Sequence, residues 1–379
     1  MWIRACRRCT SIVKNNSLTS IYYTLAYEIS IHLFILFRQK NLQQNMNGSC
    51  HSSPLNTRSR VQVAFEVSFA ILILIASLVG NVFVVYAIHR FPRLNTVTNI
   101  LIENLAWTDI CMAIFHMPFW IVSLYYGRLM FSNATCQIVG STLLMFGTVS
   151  LNTLAIIAVN RYLNVVKKHI YVKLFGGRRV AKLSCFLTWI VATMFTSPPL
   201  YGWGAVTFSE KFTDCVLAWE WEHFPYIVVL LTFAIILPTV LIFYAYISIY
   251  RKVRVSAVRL ASHSIGVNLP NESLREIAQS SEQKVLLTSF TVVCVYLICW
   301  LPVCVVGLSQ LFGYQQSRVF YMAAINLMFS SSFSNPIIYG LLNPQFKEAF
   351  KNIFGLRNTM TERRTSRAPR LHAVSTTSM

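Results

Sequence analysis

The chain has 379 residues, 55% of them hydrophobic and only 12% charged, with a net charge of +20. A soluble domain carries about twice that share of charge, so most of this apolar surface has no water-soluble core to enter. The basic residues fall between long apolar runs instead of forming the patch that nucleic-acid binding needs, and ten Cys without dense spacing exclude a disulfide scaffold.

The first 62 residues form a segment of their own. Arg4, Arg7, Arg8 and Lys14 precede an apolar stretch, Leu18–Phe37, interrupted by Glu28 and His32. It reads as a cleaved signal or a signal anchor, or as upstream sequence that the mature protein lacks. The last reading arises because Met46 opens Met46-Asn47-Gly48-Ser49, which carries a glycosylation sequon at Asn47.

Seven uncharged or nearly uncharged runs follow, at Val63–Ile88, Val97–Leu124, Cys136–Val166, Val180–Leu200, Pro225–Tyr250, Val285–Leu308 and Val319–Leu342. Each approaches or exceeds the roughly 20 residues a helix needs to cross a bilayer. Barrel strands would be about ten residues of alternating pattern, and a lone segment in lipid must satisfy its own backbone, so the runs are helices. The organisation is residues 1–62, a seven-span domain over 63–342, and a tail over 343–379.

Basic residues give the orientation. The loops after spans 1, 3 and 5 hold Arg90, Arg93, Lys167, Lys168, Lys173, Arg178, Arg179, Lys182, Arg251, Lys252, Arg254, Arg259, Arg275 and Lys284. The tail adds Lys347, Lys351, Arg357, Arg363, Arg364, Arg367 and Arg370, whereas the opposite loops hold only Arg128, Lys211 and Arg318. The tail and the richer loops are expected on the cytoplasmic side, and the segment before span 1 outside, in a multi-pass plasma-membrane protein.

Within the spans, an ionisable group costs roughly 2.5–3.5 kcal/mol even on lenient insertion scales and marks function. Asp109 sits in the middle of span 2. With Asn81, Ser150 in span 3 and Asn335 in span 7, it predicts an oxygen-lined polar cluster suited to a small hard cation, and Asp109, Ser150 and Asn335 form a candidate sodium site.

Short strings then recur once per span. They are Gly80-Asn81; Leu105-Ala106 with Asp109; Asn160-Arg161-Tyr162; Trp189; Pro238 with Tyr246; Cys299-Trp300-Leu301-Pro302; and Asn335-Pro336-Ile337-Ile338-Tyr339. In this order they resemble rhodopsin-like G-protein-coupled receptors, over nearly all of spans 1 to 7. The resemblance implies an all-α membrane protein, a seven-transmembrane helix bundle with a short amphipathic eighth helix. It implies heterotrimeric G protein as partner, with arrestin and receptor kinases beside it, and no catalytic role.

In that family the Arg at Arg161 is restrained at rest and released to meet the G protein, while tyrosines similar to Tyr246 and Tyr339 turn inward. Pro238, Pro302 and Pro336 remove backbone donors and kink their helices, with Trp300 just before the span 6 kink. One departure stands out. The acid usual before the Arg is replaced by Asn160, which cannot pair ionically with Arg161. Glu282, at the inner end of span 6, matches the family's second partner.

The resemblance also pairs Cys136 with Cys215 in a disulfide, as an oxidising compartment permits. Cys111, Cys185, Cys294, Cys299 and Cys304 read as buried packing residues. Asn133-Ala134-Thr135 is a second sequon on the outer side, while Asn271-Glu272-Ser273 is cytoplasmic by the charge pattern. Over Asn343–Phe354, Phe346, Phe350, Ile353 and Phe354 recur at helical spacing among Lys347, Glu348 and Lys351, which predicts an interfacial helix. The tail's Thr359, Thr361, Thr365, Ser366, Ser375, Thr376, Thr377 and Ser378 read as phosphorylation sites or as a generic disordered tail.

Two subfamilies share the ligand clues. Ser197–Gly204 resembles the end of span 4 in opsins, whereas Asn160-Arg161-Tyr162 and Tyr339–Asn343 are more similar to melatonin receptors. Opsins hold retinal on a Lys in span 7; the matching position is Phe329, and span 7 contains no Lys. Leu143 stands where amine receptors carry an Asp. The implied pocket, Leu143, Leu144, Gly147, Trp300, Val303, Ile325 and Phe329, is apolar, which favours a lipophilic or weakly polar ligand. Trp219, Glu220, Trp221 and Glu222 read either as polar ligand contacts or as a solvated loop with its tryptophans packed on the helix tops. A transporter would show internal repeats or broken helices in matching halves, and an enzyme would need a catalytic constellation. His116, the membrane histidine, stands without a matching acid in its span.

Overall fold

The computed structural model describes residues 58–174, 177–263 and 272–355, with side chains left out at 174, 256–263 and 272–283. The stretch 18–37, Asn47, Asn271 and the tail's serines and threonines lie outside the described residues, as does the side chain of Glu282.

Span 1 is Arg60–Arg90, capped by Ser59, whose hydroxyl accepts from the Gln62 amide at 3.1 Å. It stops at Phe91, held extended ahead of Pro92, because the residue before a proline is pushed out of the helical region. Span 2 starts behind the Thr96 cap and runs Val97–Phe115, breaks at His116, and resumes as Met117–Tyr126. The single run expected there is interrupted because Pro118 has no amide hydrogen to continue the ladder.

Span 3, Asn133–Val166, is a 34-residue helix that packs against spans 2, 4, 5 and 6 at the centre of the bundle. Its first turn carries the sequon residue Asn133, exposed, behind a Ser132 cap. Span 4 is helical only over Arg178–Thr196, and Pro198–Tyr201 tighten into a 3-10 turn. Two consecutive prolines end the α-helix four residues short of the Leu200 expected from hydropathy.

Span 5 comprises Phe224–Leu230, a π turn over Leu231–Ile236, and Leu237–His263. Pro238 removes the donor that would reach the Ala234 carbonyl, and a π turn is a common local answer to such a disruption. Span 6, Glu272–Leu311, contains Pro302, and span 7, Arg318–Leu342, contains Pro336. A last helix, Pro344–Ile353, is capped by Asn343, which accepts from the Gln345 amide at 3.0 Å. Its Phe346 is buried against Tyr339, rings 5.4 Å apart.

Six described helices are long and apolar enough to cross a membrane. Span 7 has 25 residues, or about 38 Å of helix against about 30 Å of hydrocarbon. Its Ser331, Ser332 and Asn335 lower the hydropathy and are buried inside the bundle, so its polarity faces neighbouring helices. Large apolar residues such as Phe65, Leu72, Phe186, Leu241, Ile298 and Leu301 are exposed on the outside, as a lipid-facing surface requires.

Between spans 4 and 5 lies an antiparallel hairpin, β1 Val206–Ser209 and β2 Asp214–Leu217. No alternating pattern announced it. Thr213 in its turn takes φ 55°. Of the five free cysteines among the described residues, Cys299 alone is buried and the other four are half-buried, with Cys185 and Cys111 packed against the buried clusters.

Candidate functional site

At the hairpin end, the Cys136–Cys215 disulfide joins span 3 to β2, the pairing the resemblance implied. One residue earlier, Asp214 enters the bundle. Its Oδ2 lies 3.0 Å from His116 Nε2, and the other ring nitrogen lies 3.0 Å from the Val139 carbonyl. The two side chains are only 0% and 3% exposed. Sequence reasoning left His116 without an acid because it looked within the span; the acid arrives 98 residues later, from the hairpin. A carbonyl and a carboxylate both accept, so each ring nitrogen carries a proton, or one proton sits on Asp214.

The expected pocket residues largely come together. Leu143, Ile325 and Phe329 belong to one buried cluster with Trp120, Phe146, Phe212 and Tyr321, and Trp300 and Val303 pack against it. Leu144 instead lies beside the neighbouring clusters around Phe224 and the disulfide. Gly147 faces the Trp300 ring so closely that a Cβ there would overlap it. Tyr296 stacks on Trp300 at 5.4 Å and donates to the Gly147 carbonyl at 2.8 Å, while Trp300 Nε1 donates to Ser331 at 3.3 Å. Trp300 is thereby tied to span 7 and seated on span 3. Trp219 packs over Gly307, Trp221 over Phe312, and Glu220 and Glu222 are exposed.

The Phe329 ring lies 4.5 Å from Trp120 and 5.6 Å from His116. A phenyl ring offers no amine, so this position cannot form the Schiff base by which retinal is held in opsins; the residues present do not fit covalent retinal.

Deeper in the bundle, Asn335 Nδ2 donates to Asp109 Oδ2 at 2.8 Å. Asn81 donates to the Ser77 carbonyl at 2.8 Å and to the Ser332 carbonyl at 2.9 Å. Gly80 permits this approach, since a Cβ on it would lie 2.9 Å from Pro336 Cγ. Ser150, the third member of the candidate cation site, is buried on span 3.

At the opposite end, Asn160 is buried and accepts from Thr98 at 3.2 Å. The amide therefore ties span 3 to span 2. Tyr162 lies beside Tyr244, rings 5.7 Å apart, and Tyr246 packs edge-on against Phe290 at 5.1 Å. These contacts link spans 3, 5 and 6 around Arg161.

Residues 80–339 match the 7 transmembrane receptor (rhodopsin family). The chain is 30% identical over 286 residues to melanopsin of Branchiostoma belcheri, covering 72% of this chain and 40% of that protein. It is 28% identical over 278 residues to the GQ-coupled rhodopsin of Mizuhopecten yessoensis, covering 72% and 56%. The chain spans about half the length of these curated relatives. Its fold is that of squid rhodopsin, with a TM-score of 0.69 at 22% identity over 86% of this chain and 98% of that one. This multi-pass membrane chain belongs to the rhodopsin family of seven-transmembrane receptors.

Proposed function

We propose that the chain is a G-protein-coupled receptor that passes a ligand signal from the hairpin end, facing outside the plasma membrane, to a heterotrimeric G protein at the Arg161 end. The observation that carries this reading is Trp300. It is seated on Gly147, stacked with Tyr296, bonded to Ser331 and placed two residues before Pro302. Any ligand that moves this ring acts on spans 3, 6 and 7 together, and the proline gives span 6 a place to bend. Arg161, Tyr162, Tyr246, Tyr339 and, from span 6, Glu282 form the coupling end, and the Asn335-Pro336 kink connects the two.

Asp109 and Asn335, with Ser150 buried on span 3, serve as a sodium site that favours the resting arrangement; sodium then lowers activity, and Asp109→Asn abolishes that effect. Retinal is not held covalently. Asn47 and Asn133 are the glycan acceptors. Arrestin and receptor kinases act on the tail.

The test is capture of a nucleotide-free heterotrimer. A relative carries the description GQ-coupled, so Gq is the first heterotrimer to use. Receptor in lipid nanodiscs is expected to retain it and release it on adding GTP; retention no greater than on empty nanodiscs, repeated with Gi and Gs, contradicts the proposal.

A further inference from the structure

We infer that the hairpin end binds, without a covalent bond, a flat apolar molecule whose head group is an acceptor oxygen (a carbonyl or carboxylate) taken by the Trp120 indole N–H and the Tyr321 hydroxyl. The inference rests on the receptor reading above and names the chemistry of its ligand.

Trp120 and Tyr321 are both 0% exposed, and neither Trp120 Nε1 nor Tyr321 Oη has a hydrogen-bond partner in the protein. A buried polar group left this way costs roughly 1–3 kcal/mol, and native proteins keep few of them without reason. An indole N–H can only donate, so what satisfies Trp120 must bring an acceptor. Thr213 Oγ1, in the hairpin turn, is likewise buried and unpartnered.

These groups share one place. Trp120 follows His116 by one helical turn, and Tyr321, Ile325 and Phe329 lie at four-residue spacing along span 7, so each set shares a helix face. Trp120 and His116 both contact Phe329, and Tyr321 meets Phe212 from the hairpin at 4.8 Å. All but His116 belong to the same buried cluster. Aromatic and aliphatic side chains of this kind suit contact with a flat apolar body.

The charges at the site argue against an amine head. Asp214 is the acid that reaches this region, and both of its oxygens are already engaged, Oδ2 with His116 at 3.0 Å and Oδ1 accepting from the Cys215 amide at 2.8 Å. Lys211 lies over the Tyr321 ring, 5.2 Å from its centroid. At the rim, the Glu66 carboxylate is held by Arg318 at 2.6 and 3.0 Å and by Arg58 at 3.3 Å. The site thus offers donors and a nearby cation to a head group, and its acids are engaged.

The probe is cis-parinaric acid, a conjugated polyene whose fluorescence rises in apolar surroundings, compared with its methyl ester and with the matched hydrocarbon lacking oxygen. Titrations use the full chain in nanodiscs, corrected with empty nanodiscs. Tyr321→Phe removes one donor and keeps its ring, whereas Trp120→Phe removes the other donor and leaves a smaller aromatic ring, whose packing loss the hydrocarbon control reads; non-reducing gel mobility checks that the Cys136–Cys215 bond has formed in both. Acid and ester are expected to bind saturably, each variant weakening them on the order of tenfold, with the hydrocarbon weak on all three proteins. The inference is overturned if no probe binds saturably, if the hydrocarbon binds the wild type as tightly as the acid, or if both variants bind the acid unchanged, as they would were water the partner. Ligand-free nucleotide exchange on the same samples separates the failures. Absent binding with intact exchange removes only the ligand chemistry, whereas absent exchange removes the receptor reading.

Discussion

The Asn81 side chain donates at 2.9 Å to the carbonyl of Ser332, the carbonyl that loses its helical partner because Pro336, four residues later, has no N–H. The span 7 carbonyl freed by Pro336 is therefore satisfied from span 1, and Gly80 supplies the closeness that this needs. A bent helix in a membrane persists where a neighbour takes up its freed backbone groups.

This pairing predicts a strong coupling. Asn81→Leu leaves the Ser332 carbonyl buried and unbonded, at a cost of about 1–3 kcal/mol. In a Pro336→Ala background, where a helical donor returns, the same change is expected to cost much less. Thermal denaturation of the four proteins in one detergent measures it; additive shifts would show that Asn81 is not serving the kink.

The buried His116–Asp214 pair gives a second cycle. Removing one partner of such a pair typically costs about 3–5 kcal/mol, whereas replacing both with apolar residues is often close to neutral. His116→Leu and Asp214→Leu are each expected to melt well below the wild type, and the double variant above either single one. A double variant that melts at the sum of the two losses would argue against a direct pair.

Loss of the disulfide should act on the same hairpin. It closes 79 residues of chain between span 3 and β2, and removing a native disulfide commonly costs about 2–5 kcal/mol. Cys136→Ser with Cys215→Ser is expected to lower the melting temperature and to increase amide exchange over residues 206–217. Unchanged exchange there would mean that contacts other than the disulfide hold the hairpin.

Asn160 predicts a change in activity. Its amide takes the Thr98 hydroxyl at 3.2 Å, and it brings no negative charge next to Arg161. Asn160→Asp adds that charge and is expected to lower ligand-free nucleotide exchange several-fold, whereas Glu282→Ala raises it. If exchange is the same in all three proteins, Arg161 is not restrained by charge.

The spans were legible because lipid imposes length and apolarity on every crossing segment, and each span core lies where hydropathy puts it. The ends were less so. At His116 and Ser197, Pro118 and Pro198 decide where the ladder breaks, and hydropathy carries no sign of it. The terminal helix was readable from Phe346, Phe350 and Ile353, which share one helix face, while Lys347 and Lys351 repeat at the same spacing one residue on. His116 was misread because its partner is distant in sequence. The one available signal was that Asp214 is an acid directly preceding Cys215, the cysteine expected to bond the top of span 3. The Trp120 and Tyr321 donors were invisible as well, since an unpartnered group is defined only once its surroundings are known.

The central claim is that this bundle drives nucleotide exchange through Arg161. The direct measurement is guanine-nucleotide exchange on purified Gq heterotrimer, catalysed by the chain in nanodiscs beside Arg161→Ala and Glu282→Ala. Exchange above the empty-nanodisc rate, higher in Glu282→Ala and lost in Arg161→Ala at equal disulfide-bonded protein, is the predicted result. Exchange unaltered by Arg161→Ala, or absent from every variant with Gq, Gi and Gs alike, would contradict it.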